Sequence, residues 1–93
     1  MIACDGGRCS VRGPLLFENV VEVLARGNEL FTAERVTVDL SGVTEVDSSA
    51  LSLMLEWRRE AGRHGRAIRF LNLPANLKSL AALYGVTELL GEA

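Results

Sequence analysis

Arg35-Val36-Thr37-Val38-Asp39-Leu40-Ser41-Gly42 alternates without a break: Val36, Val38 and Leu40 point one way, Thr37 and Asp39 the other. Its β-branched content suits a half-buried strand, and Ser41-Gly42 closes it. Past Val43 to Val46 the period changes. From about Ser48 to His64 apolar residues recur at helical spacing, and Gly62, Arg63, Gly65 and Arg66 supply the composition of a helix carboxyl end. Ala67-Ile68-Arg69-Phe70-Leu71 then forms a short apolar run, bounded by Gly65 and Asn72-Leu73-Pro74, that reads as a buried strand. Strand, long helix and strand make a crossover unit, so the two strands are expected to run parallel.

Toward the amino end, Ile2-Ala3-Cys4 and Cys9-Ser10-Val11 flank Asp5-Gly6-Gly7-Arg8, a hairpin signal. Gly13-Pro14 breaks the pattern. Phe17, Val20, Val21 and Leu24 then share one helical face, with Glu18, Glu22 and Arg26 off it, and Gly27-Asn28 is expected to end this helix. Toward the carboxyl end, Pro74 sits near a first helical position, and Leu77, Leu80, Ala81 and Tyr84 make a stripe that Gly85 terminates. Val86 to Leu90 reads as a short last strand or a turn. The fold class is therefore α/β: a mixed β-sheet of about four or five strands with three helices packed on it. At 93 residues the chain is expected to be a single domain over 1–93.

Apolar residues make up 48% and charged residues 24%, the balance of a globular protein rather than a disordered one. A net charge of −2 without any basic run argues against nucleic acid as a partner. No apolar stretch approaches the ~20 residues of a membrane span, and no secretion signal is evident, so a cytoplasmic address without direct membrane insertion is expected. Cys4 and Cys9 lack the spacing of a redox or zinc pair, and His64 is the only histidine, so no metal and no cofactor are expected. The hairpin would let the two thiols face each other, yet in a reducing cytoplasm they read as small strand residues.

Asp47, Ser48 and Ser49 stand directly before the long helix, where a side-chain oxygen can accept a bond from an unpaired backbone N–H. Only one oxygen is needed for a cap. At least one hydroxyl is then left at the positive end of a long helix, a position suited to phosphorylation. Along that helix Ala50, Leu53, Met54, Trp57 and Ala61 form one apolar stripe, with Leu51 and Leu55 on a second shoulder. The combined arc, roughly 200°, is wider than core contact alone requires, so part of it can face a partner. Ser52 lies across from the stripe, and Trp57, beside Arg58, belongs to the residue types enriched in interface hot spots.

No catalytic residues are expected. A triad of Asp47, Ser48 or Ser49 and His64 would join opposite ends of one helix, ~22 Å apart at 1.5 Å per residue. There is no phosphate loop and no dinucleotide fingerprint, and pairs such as Glu18/Glu22 and Glu56/Glu60 sit at solvated helical spacing.

Val38-Asp39-Leu40-Ser41-Gly42-Val43 and Val46-Asp47-Ser48-Ser49-Ala50-Leu51 together resemble the central strand and helix start of STAS domains. Over most of the chain this resemblance implies a STAS-type fold without enzymatic activity. In anti-sigma-factor antagonists of that family the motif is commonly Asp-Ser-Ser-Gly-Leu and its second serine is phosphorylated, which maps to Ser49 as candidate phosphoacceptor; Ala50 replaces the glycine here. Leu55-Glu56-Trp57-Arg58-Arg59, Asn72-Leu73-Pro74 and Leu83-Tyr84-Gly85-Val86 resemble the STAS subunit of the Mla phospholipid-transport ABC system. That resemblance implies an accessory subunit bound to the ABC-transporter ATPase, peripheral at the inner membrane through the complex, with Ser48 as the important hydroxyl. The expected partner-binding residues are Asp47, Ser48, Ser49, Leu51, Ser52, Leu55 and Trp57. The alternative partner is an anti-sigma serine kinase.

Overall fold

Glycine chemistry opens the fold. In the computed structural model, which describes residues 1–90, strands β1 (Ile2–Asp5) and β2 (Arg8–Leu15) are antiparallel and joined by Gly6-Gly7. Gly6 takes φ 66°, the left-handed value that the first central residue of a tight hairpin turn demands. Arg12 N–H donates to Met1 O at 2.8 Å and Met1 N donates to Arg12 O at 2.7 Å, so alternation makes Cys4↔Cys9 a non-hydrogen-bonded pair. Opposed Cα atoms come closest at such pairs. These two are 4.0 Å apart and the sulfurs are joined, where the sequence alone favours two thiols.

Helix α1 (Val20–Leu30) leads into the central strand β3 (Arg35–Val46), which pairs in parallel with β2 on one side and with β4 (Ala67–Leu71) on the other. Helix α2 (Ser49–Arg63) is the crossover, and the sheet order is β1-β2-β3-β4. Among the described residues the sheet thus has four strands; the segment after α3 (Ala75–Leu83) is a 3₁₀ turn over Thr87–Leu90 rather than a fifth.

Strand β3 runs past Ser41-Gly42, where the sequence pattern ends it. Ser10 pairs with Asp39 but Arg12 with Gly42, and Gly13 pairs with Val43 but Leu15 with Val46. Each step adds one residue to β3, a bulge that rephases the alternation. Val36, Val38 and Leu40 are buried, then Val43, so the apolar face survives the shift. Gly42 is needed at the first bulge because a Cβ there would meet Arg12 Cγ at 2.8 Å.

All three helices cover one face of the sheet, and the core lies between: Val11, Leu15, Val38, Leu40 and Phe70 below, Ala50, Met54, Trp57 and Leu77 above. Gly27 does not end α1. It lies inside the helix against the Trp57 indole, where any Cβ would collide with the ring. Trp57 is 1% exposed, stands edge-on to Phe31 with centroids 4.9 Å apart, and donates Nε1–H to Leu24 O at 3.2 Å. A glycine in α1 therefore lets the two helices close over the largest side chain of the core.

Candidate functional site

The turn into α2 is organised by Asp47. One carboxylate oxygen accepts the Ser49 N–H at 2.8 Å, which caps the helix, and the other accepts the Phe17 N–H at 3.0 Å, which ties down the loop before α1. Ser48 occupies the N-cap position by geometry but makes no side-chain capping bond. The Phe17 N–H is the largest influence holding the Asp47 carboxyl below its ordinary range; partial burial opposes it, and the backbone and hydroxyl of Ser49 reinforce it.

A depressed folded-state pKa contributes stability above the unfolded value and loses it as pH falls through the folded one. Asp47→Ala is therefore expected to cost about 1 kcal/mol of unfolding free energy near neutral pH, the usual penalty for a lost cap. Urea denaturation should show that difference in full above pH 3.8 and shrinking below it. A difference that persists unchanged into acid would contradict this role.

With Asp47 acting as the cap, Ser48, Ser49 and Ser52 line the outer side of α2, Ser48 and Ser52 exposed and Ser49 half-buried. They form a polar ridge between two grooves. One, of about 470 Å³, is bounded by Ser48, Ser49, Leu51, Ser52 and Leu55 on α2 and by Tyr84 and Val86 opposite. The other, of about 360 Å³, shares Ser49 and Ser52 and is walled by Phe17, Val20, Val21 and Leu24 on the α1 side. Phe17 is 79% exposed, Val21 75% and Tyr84 58%, so large apolar side chains stand open on both sides of the ridge.

Six of the seven residues singled out from the sequence are thus gathered at one end of α2. Leu51 is itself buried but reaches the groove, and Leu55 is half-buried. Trp57 is the correction: sealed in the core by Phe31, Gly27 and Leu24, it offers no surface to a partner. Phe17, Val21 and Tyr84, which the periodicity assigned to core stripes, were missed as surface residues. Phe17 precedes the helix, which starts only at Val20, so the helical phase does not extend to it. His64 lies at the far end of α2 and contacts Glu60 at 3.0 Å, remote from the serines.

Solved structures share this architecture. The anti-sigma factor antagonist SpoIIAA in its unphosphorylated form matches with a TM-score of 0.75 at 16% identity, over 95% of this chain and 82% of that one. The phosphorylated form of SpoIIAA, described as a Bacillus cell fate determinant, matches with a TM-score of 0.69 at 15% identity, over 95% and 85%. A crystal structure named Mglu matches at 0.64 and 20% identity, but this chain spans only 20% of it and 81% of itself is covered. At these identities the likeness shows the fold. Among curated protein sequences none matches. A family model described as "Mlab, STAS domain" matches residues 4–91, almost the whole sequence. With that match and the four-stranded mixed sheet under three helices, the chain belongs to the STAS domain family.

Proposed function

We propose that this protein is a non-enzymatic accessory subunit that docks on the cytoplasmic ATPase of a phospholipid-transport ABC complex and supports its assembly and activity. In that role it serves outer-membrane lipid asymmetry and sits peripherally at the inner membrane through the complex. The observation that carries the reading is the ridge of Ser48, Ser49 and Ser52 between two open apolar grooves, on a chain whose family model is described as Mlab. Apolar anchors beside a few polar groups are the composition of a protein-binding surface, and nothing in this arrangement calls for a reaction. Asp47 contributes by holding both the helix start and the Phe17 loop in place.

The rival reading makes the protein an anti-sigma-factor antagonist switched at Ser49. The fold shared with SpoIIAA is its support. A phosphate on Ser49 would stand beside the Asp47 carboxylate that now accepts the Ser49 N–H, a like-charge contact that would loosen the turn. Affinity purification of the tagged protein from its native cell separates the two. Recovery of an ABC ATPase is the expected result; recovery of a serine kinase without an ATPase, together with phosphate on Ser49, would overturn it.

A further inference from the structure

The face of the sheet opposite the helices carries a charge pattern that the docking grooves do not use. Arg8, Arg12, Arg35 and Arg69 are exposed, each out of phase with a buried neighbour such as Cys9, Val11, Val36 or Phe70. The register sets Arg8 and Arg69 on either side of Thr37, and Arg35 lies two residues before Thr37 on the same face of β3. Arg12 extends across Gly42 on that side.

Among the described residues none of these four arginines is in an ion pair, whereas Arg59 and Arg63 on α2 are tied to Glu56, and Arg63 also to Glu60. The four outnumber Asp5, Asp39 and Glu45, the acids of the same four strands, although the whole chain has a net charge of −2. Asp39 is moreover engaged, accepting the Ser41 N–H at 2.9 Å and the Asn72 amide at 3.1 Å, and of the four arginines Arg8 alone helps to hold its carboxyl below the ordinary range.

We propose that this open face is a peripheral contact for a surface of anionic phospholipid headgroups. All four cations are arginines, whose planar fork donates two parallel hydrogen bonds to phosphate oxygens. They spread over a flat area, with β2 and β4 about 10 Å apart at the usual strand spacing, and do not converge on one cavity. Such a spread fits an array of phosphates better than a single small anion. No aromatic side chain accompanies them, since Phe31, Trp57 and Phe70 are in the core and Phe17 and Tyr84 flank the grooves beside α2. A base-stacking platform is therefore missing, as are the aromatic anchors of a protein interface. The inference does not depend on the ATPase reading, because the face lies on the other side of the sheet from α2 and can be occupied while the grooves are filled.

Flotation with vesicles of phosphatidylcholine alone, or with ~30% phosphatidylglycerol, tests it at low salt and in 0.5 M NaCl. Binding to the anionic vesicles only, lost in high salt as exposed charges are screened, is the expected result. Arg35→Gln with Arg69→Gln should weaken it roughly 30-fold, about fivefold for each cation near an anionic surface. Arg35→Lys with Arg69→Lys should retain most of it, and circular dichroism confirms that each variant folds. Absence of binding at low salt, equal binding by the glutamine pair, tighter binding to duplex DNA, or displacement by millimolar inorganic phosphate at constant ionic strength would overturn the proposal. The last result would mark a single-anion site instead.

Discussion

Trp57→Ala is expected to lower the unfolding free energy by about 3–5 kcal/mol, the range for deleting a fully buried aromatic side chain. The loss combines several terms at one place. The indole is 1% exposed, meets Phe31 edge-on, and satisfies its N–H at Leu24 O, so truncation empties volume and removes a buried hydrogen bond together. Gly27, which faces the indole, has no side chain with which to fill the space. For a domain with about 5–15 kcal/mol in total, this is a large share, and Tm should fall by more than 10 °C. Trp57→Phe keeps most of the packing and should recover over half of the loss. Thermal and urea denaturation followed by circular dichroism provide the measurement. If Trp57→Ala folded with parental stability but lost a partner, Trp57 would be an interface residue and the packing described here would be wrong.

Ser52→Arg and Ser48→Asp are expected to act in the opposite manner, leaving the fold nearly intact while abolishing docking. Both side chains are exposed, so stability should change by no more than about 0.5 kcal/mol. Ser52 lies between the two grooves, and a partner that fills them would bury any charge placed there. An unpaired charge in an interface costs several kcal/mol, which corresponds to a loss of ATPase affinity on the order of 100-fold or more. Titration calorimetry of purified subunit and ATPase would show it. Unchanged affinity in both variants would move the contact away from this end of α2, and an effect of Ser48→Asp alone would confine it to the Tyr84 side.

These substitutions divide one helix between two tasks. The stripe Ala50, Leu53, Met54, Trp57 and Ala61 is buried throughout, while the shoulder from Ser48 to Leu55 borders open grooves. The wide apolar arc of α2 therefore serves the core over its whole length and borders the proposed docking surface only at its amino-terminal half. Tyr84 and Phe17 extend that surface on to neighbouring elements, where the spacing of apolar residues suggested core positions instead.

Local patterns were enough for much of this. The alternation of Val36, Val38 and Leu40, the helical period after Ser48, the Gly6-Gly7 turn and the stop at Gly85 determine the order of elements and the parallel crossover. Each is a relation between residues a few positions apart, which backbone geometry converts directly into a strand, helix or turn. The oxygen-rich start of α2 was legible for the same reason, although Asp47 rather than a serine proved to be the cap. Tertiary structure decided what depends on distant partners. The bulges of β3 exist only against β2, Gly27 is explained only by Trp57, and Phe17 is placed by Asp47. The clearest case is the open face of the sheet, because Arg8, Arg35 and Arg69 are scattered through the chain and become neighbours only through strand register. Charge acts through space, and a sequence orders residues along the chain alone.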